Sequence, residues 1–186
     1  MNFYYNPVRL HWGEHCLNEL KTEVQNLSAK HILIIKWSEQ ALNNTAGEEL
    51  YRSISNCQVS ELVFSKSNPD IQDLHAVYQQ HKTEQPDLII AIGGGSVLDM
   101  AKSLAAILNE EYSSVEQLRE AIASKDTGTP ECPWIGVPTT AGTGSEVTCW
   151  ATVWDSEKNA KLSLEHHGNY AYAAYVDPAF TVSMPL

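Results

Sequence analysis

The chain reads as an α/β fold, with a mostly parallel sheet, helices on both faces and a small antiparallel hairpin added. Three observations predict it. Short apolar runs alternate with amphipathic helical stretches along the whole chain. Two of those runs, His31–Ile35 and Asp87–Ile92, are nearly continuous, as expected for parallel strands covered on both faces. A turn-like stretch, Asp155–Asn159, joins two segments that resemble a hairpin. Strands that alternate with helices imply crossover connections and hence a parallel sheet.

The elements follow in order. Tyr4–Trp12 is aromatic and β-branched enough for a strand, with Gly13 as a stop. Leu17, Leu20, Val24 and Leu27 give Glu14–Leu27 one apolar helical face. His31–Ile35 is the second strand, Gly47–Ile54 a helix, and Val59–Phe64 the third strand. Asn68-Pro69-Asp70 makes a turn with a helix cap, after which Ile71, Leu74, Val77 and Tyr78 line one face. Asp87–Ile92 is the most apolar strand, and Ser96–Leu108 is the best helix, with Met100, Leu104 and Ile107 on one side. Val115–Ile122 reads as a helix, Asp126–Pro130 as a loop and Trp134–Val137 as a short strand. Thr148–Trp154 and Ala160–Leu164 form the expected hairpin, and Ala173–Val176 is the last strand. The sum is a Rossmann-like domain without internal repeats.

Composition narrows the function. A chain of 186 residues fits one large domain, or one and a fraction, and buries a sizeable core without disulfides. Its net charge of -11 argues against a broad nucleic-acid or anionic-membrane surface, because phosphate backbones recruit Lys and Arg. A small phosphate pocket remains compatible, since backbone amides supply local positive potential. Cys16, Cys57, Cys132 and Cys149 lack zinc-like spacing and read as free thiols of a reducing compartment. With no secretory leader and no long apolar stretch, the expected location is the cytoplasm. The end at Ser183-Met-Pro-Leu186 reads more like a cut than a natural terminus.

Two constellations carry chemistry. Gly93-Gly94-Gly95-Ser96 lies between the strongest strand and the strongest helix. Glycines permit positive φ and close backbone approach, and the helix start offers amides and its positive dipole end to an anion. Ser96 is positioned to cap the helix or bond a phosphate oxygen, and Asp99 has capping-box-like spacing from it. Lys102 sits more than a turn inside and reaches back only through its long side chain. The plainer alternative is a tight turn that binds nothing. Pro138-Thr-Thr-Ala-Gly-Thr-Gly-Ser-Glu146 follows a strand, at the end where open α/β sheets hold ligands. Its Thr139 and Thr140 are candidates to bond a ribose, a phosphate or an amide. The adjacent His166-His167 resembles a metal pair only superficially and reads as surface or packing.

Together these blocks resemble the iron-containing, group III alcohol dehydrogenases. The wording is Gly-Gly-Gly-Ser-Val-Leu-Asp-Met-Ala-Lys102 in the first block and Pro138-Thr-Thr-Ala-Gly-Thr-Gly-Ser-Glu-Val-Thr148 in the second. Trp12-Gly13, Asn68-Pro69, Lys161 and Asp177-Pro178 add weaker support. The resemblance implies an N-terminal domain that binds NAD or NADP, here residues 1–186, and a C-terminal helical domain, missing from this chain, that carries most of a divalent metal site. The metal would be iron or zinc, with its ligands outside this chain. By the same resemblance, Gly94, Gly95 and Ser96 look like diphosphate contacts. Asp99 and Lys102 look like functional-face residues of one helix, with Asp99 near the nicotinamide ribose. Thr139, Thr140, Thr143 and Ser145 look like cofactor-lining hydroxyls, and Lys161 like a lysine beside the cofactor ribose. The implied reaction is hydride transfer between nicotinamide and a small alcohol or aldehyde, with no catalytic residue assigned here. Partners are the small substrate and further copies of the chain, as in a dimer, but neither nucleic acid nor membrane.

One departure bears on the cofactor. The second strand of such domains commonly ends near an aspartate, whereas this chain reads Ile34-Ile35-Lys36-Trp37-Ser38. Lys36 is therefore a candidate to meet a 2′-phosphate, which keeps NADP open beside NAD. Alternative readings are a glycerol-dehydrogenase- or maleylacetate-reductase-like enzyme of the same superfamily, and a nucleotide-binding module without catalysis.

Overall fold

A computed structural model describes residues 5–182. The expected cut at Ser183-Met-Pro-Leu186 and the start of the first strand at Tyr4 lie outside them. In chain order the strands and α-helices are β1 (Arg9–Trp12), α1 (Leu20–Asn26), β2 (His31–Lys36), α2 (Thr45–Ser53), β3 (Gln58–Val63), α3 (Ile71–His81), β4 (Leu88–Gly93), α4 (Gly95–Ile107), α5 (Val115–Ser124), β5 (Trp134–Pro138), β6 (Trp150–Asp155), β7 (Ala160–Glu165) and β8 (Ala173–Val176).

Six strands form one sheet in the order β1-β8-β5-β4-β2-β3, and every pairing in it is parallel. β6 and β7 form the separate antiparallel hairpin. The α/β class, the parallel sheet and the hairpin are as the sequence predicts. From β2 the chain winds outward to β3, then returns to β4 on the other side of β2 and continues toward β5. The winding therefore reverses between β2 and β4. In open α/β sheets, that reversal leaves a crevice beyond the carboxyl ends of the two strands.

The core explains the unbroken apolar runs. Leu33 and Ile35 point to the face covered by α3, α4 and α5, in one cluster with Leu74, Met100 and Leu118. Ile32 and Ile34 point to the opposite face, with Val24 of α1 and Leu50 of α2. A strand with both faces covered has no solvent side on which to place polar residues. Each such side chain contributes about 1.5–3 kcal/mol when fully buried.

The helices begin where their caps lie. The side chain of Asn44 accepts from Gly47 N at 2.8 Å, Asp70 from Gln72 N at 3.0 Å, and Ser114 from Gln117 N at 3.2 Å. One expected helix is broken. Glu14–Leu27 divides into a 3₁₀ turn, Cys16–Glu19, and the short α1. Its apolar spacing is real, because Leu17, Leu20 and Val24 are all buried. His15, in the left-handed conformation at φ 62°, starts the turn without a side-chain cap.

The hairpin is bolted down at its tip. Asp155, 1% exposed, receives Arg119 Nε of α5 at 2.5 Å, and Arg119 also pairs with Glu157 at 2.8 Å and with Glu116. That pairing holds the Asp155 carboxyl below its usual range, while the hydrogen bond to Asp155 raises Arg119. Asp70 accepts from Ser156 N at 3.0 Å, and Trp154 N donates to Pro69 O at 2.7 Å.

Gly47 tests the packing at the start of α2. A Cβ there would lie 2.0 Å from the backbone oxygen of Leu42, too close for a side chain to yield. Gly47→Ala is expected to lower the urea-unfolding free energy by about 1–3 kcal/mol, the usual cost of overpacking. An unchanged midpoint would contradict the contact.

Candidate functional site

The glycine turn ends β4, at the point where the sheet reverses its winding. Gly94 is the N-cap of α4 and supplies no side-chain hydrogen bond, unlike the side-chain caps of α2, α3 and α5. The first amides of a helix need partners from elsewhere, and the dipole there favours an anion. Of the two uses expected of the glycines, positive φ and close backbone approach, only the second is found. None of Gly93, Gly94 and Gly95 has a positive φ. They are needed for close approach. A Cβ on Gly93 would meet Val97 Cβ at 2.6 Å. A Cβ on Gly94 would lie 3.1 Å from Thr140 Oγ1, and one on Gly95 would lie 3.1 Å from Thr143 Oγ1.

The hydroxyl-rich loop thus runs beside the start of α4. Thr139 N donates to Gly93 O at 3.1 Å, which continues the β4–β5 pairing into the loop. Thr139 is buried, while Thr140 and Thr143 are exposed. Gly144, with φ 62°, turns the chain into a 3₁₀ turn, Ser145–Val147. Thr143 Oγ1 accepts from Ser145 N at 3.2 Å. Ser145 Oγ donates to Asp99 Oδ1 at 2.7 Å, and Thr152 N donates to Asp99 Oδ2 at 3.2 Å. Asp99 therefore ties α4 to both the loop and the hairpin.

Two expectations for this helix change. Ser96 does not cap it, because α4 already starts at Gly95. Its Oγ instead accepts from Asn68 N at 3.0 Å. Lys102 has no accessible surface and lies behind the site rather than on it. Its ammonium donates to Ser145 O at 2.9 Å, Trp150 O at 2.5 Å and Thr148 Oγ1 at 3.2 Å. Burial lowers its pKa, and Asp99, 3.4 Å away, opposes that shift.

A cavity of about 310 Å³ collects part of the expected set. Gly95, Ser96, Asp99, Thr143 and Lys161 line it, together with Asn68, Pro69, Thr152 and Trp154. Gly94, Thr139, Thr140, Ser145 and Lys102 lie outside its lining. Thr152 and Trp154 were missed in the sequence. Hairpin register was the available signal, because Trp154 pairs directly with Lys161 across β6 and β7. The Lys161 ammonium stands 5.8 Å from the Trp154 ring centroid, within cation–π range. Asn68, at φ 58°, holds the left-handed turn that brings its amide to Ser96.

Lys36, on which the NADP expectation rests, is already paired. It is 4% exposed, and its Nζ lies 2.5 Å from Glu61 Oε2 and 3.7 Å from Glu39 Oε2. The carboxylate absent from the end of β2 is supplied from β3, and Tyr51 donates to the same Glu61. Burial raises Glu61 while the bonds from Lys36 and Tyr51 lower it, and the net shift is downward. His166 and His167 sit apart from this region. His166 Nδ1 accepts from Gly168 N at 2.9 Å and caps a 3₁₀ turn. Among the described residues, no group of three or more His, Cys, Asp or Glu is arranged to hold a metal ion.

A parallel sheet that reverses its winding beside a glycine turn defines an open, Rossmann-like α/β domain. The chain belongs to the iron-containing alcohol dehydrogenase family, whose model matches residues 7–178. It is 29% identical over 192 residues to an NAD-dependent methanol dehydrogenase of Bacillus methanolicus, covering 99% of this chain and 47% of that protein. It is 32% identical over 181 residues to long-chain-alcohol dehydrogenase 1 of Geobacillus thermodenitrificans, covering 96% and 45%. Its fold is similar to that of sulfoacetaldehyde reductase from Bifidobacterium kashiwanohense in complex with NAD+. That match has a TM-score of 0.85 and 25% identity, and covers 100% of this chain and 48% of the other. The chain spans about half the length of the curated relatives it matches.

The cysteines are free thiols, as expected. Burial pushes Cys132 up to about 12 and Cys16 up to about 11. Both therefore stay protonated near neutrality, and the thiolate is the nucleophile. Cys132 is expected to resist iodoacetamide at pH 8 in the folded chain and to react once urea exposes it, as read by mass spectrometry. Rapid labelling of folded Cys132 would contradict its burial.

Proposed function

We propose that this chain is the dinucleotide-holding domain of an NAD-preferring alcohol dehydrogenase or aldehyde reductase. The observation that carries the reading is the start of α4. Gly94 leaves the helix without a side-chain cap, at the carboxyl edge of the sheet, where the winding reverses. A diphosphate suits that position, because it supplies acceptors to the first-turn amides and negative charge to the dipole. Gly94, Gly95 and Ser96 would hold the diphosphate. Thr139, Thr140, Thr143, Asp99 and Lys161 would face the remainder of the dinucleotide, with Lys161 and Trp154 closing one side of the cavity.

A bound nicotinamide supplies hydride chemistry, and the chain's own residues orient the ring and exclude water around it. The iron or zinc of the family reading would be held by residues other than those described here. We assign the hydride's partner to the small alcohols and aldehydes. The names of the relatives, a methanol and a long-chain-alcohol dehydrogenase, support that class. A helical metal-binding domain would complete the enzyme, in keeping with the share of its relatives that the chain spans.

The pairing of Lys36 supports NAD over NADP. Its charge is already opposed by Glu61 and Glu39, so a 2′-phosphate would meet two carboxylates and no uncommitted ammonium. Titration by fluorescence is expected to give a lower Kd for NADH than for NADPH, with Glu61→Gln narrowing the gap. Tighter NADPH binding would sink the preference. Gly94→Ala would also crowd the diphosphate position and weaken NADH binding by about tenfold or more, a loss of about 1.4 kcal/mol. Unchanged affinity would move the diphosphate elsewhere.

A further inference from the structure

The fully buried lysine behind the glycine turn has a task that the cofactor reading leaves unassigned. Lys102 lies seven residues after Gly95, about two turns along α4 and away from its open end. Its three hydrogen-bond acceptors are Ser145 O, Thr148 Oγ1 and Trp150 O, all from one six-residue stretch. An ammonium has three N–H donors, so the three acceptors match its capacity, whereas a neutral amine would leave one short. Asp99, one turn earlier on the same helix, takes Ser145 Oγ and Thr152 N. The acid and the base thus grip Ser145 by its side chain and its carbonyl together. That stretch joins the Thr139–Thr143 hydroxyls to the hairpin bearing Trp154 and Lys161.

We propose that Lys102 is a positioning residue: its ammonium fastens Ser145–Trp150 to α4 and thereby sets the hydroxyl loop and the hairpin at the spacing the cavity requires. It touches no ligand itself. The diphosphate turn at Gly94–Ser96 is built by β4 and the first turn of α4, upstream of this fastening. Losing the ammonium therefore loosens one wall of the cavity and leaves the turn in place. The inference rests on the dinucleotide reading for its effect on binding, but not for its effect on the loop.

The two effects are measured separately on the intact protein. In Lys102→Met, amide hydrogen exchange is expected to accelerate across residues 145–152 while β2 and β4 stay protected. NADH affinity is expected to fall by about tenfold, as for one lost charge-assisted hydrogen bond, with ADP affinity held within about twofold. Should Lys102→Met fail to fold, Thr148→Val removes one acceptor of the ammonium, and the same exchange pattern is expected at smaller amplitude. Unchanged exchange over 145–152 in a folded variant would overturn the fastening. Equal losses of NADH and ADP, or uniform loss of protection, would reduce Lys102 to general stability and overturn the positioning role. Accelerated exchange in a variant of a protein whose wild type binds neither NADH nor NADPH would uphold the fastening and sink the dinucleotide reading instead.

Discussion

A single ammonium with no accessible surface joins the two halves of the candidate site. Removing Lys102 from water is costly unless every N–H finds a partner, because a buried charge without partners is among the least favourable states a fold can contain. Here two backbone carbonyls and a hydroxyl meet it, and Asp99 supplies the counter-charge at 3.4 Å. The loop from Ser145 to Trp150 has no sheet partner of its own until β6 begins. The bonds to that charge, together with those from Asn6 to Val147 O, from Asn169 to Cys149 O and from Ser145 to Asp99, hold its path, and the segment leads directly into β6.

The parallel sheet supplies the other fixed reference. β4 and β2 end side by side, and the winding turns back between them, so the glycine turn and the end of β2 open on the same edge. The glycines let the loop after β5 approach the helix start to a distance that a Cβ would spoil. Closeness and polarity at this edge thus have one cause. The protein is acidic as a whole, with net charge -11, so an anion is favoured only where backbone dipoles override that background. The diphosphate position proposed at the start of α4 draws on such dipoles, whereas at the end of β2 the Lys36 charge is already met by Glu61 and Glu39.

The hairpin shows how remote charges shape the cavity. Arg119 on α5 and Asp70 at the start of α3 grip its tip, at Asp155 and Ser156. Asp99 and Lys102 hold the approach to β6, at Thr152 and Trp150. Fastened near both ends, the two strands present Trp154 and Lys161 toward Ser96 and Asp99. Neither side chain would carry functional weight as an isolated surface residue.

The sequence alone determined the fold class and most of the strands and helices, because their periods are local signals, whereas the strand order and the reversal between β2 and β4 are set only in the folded sheet. The runs at His31–Ile35 and Asp87–Ile92 announce strands covered on both faces, and the cap at Asp70 announces a helix start. It also located the two chemical blocks, since three adjacent glycines after a strand and a cluster of hydroxyls after another are visible without coordinates. It did not determine what the charged groups do. Lys36 reads as a free cation until β3 brings Glu61 to it from 25 residues away. Lys102 reads as a reaching ligand until residues more than 40 positions downstream enclose it. Ser96 reads as a cap until the helix is seen to start one residue earlier. Hydrogen bonds and ion pairs depend on distances of a few ångströms between segments remote in sequence, and only the folded chain sets those distances.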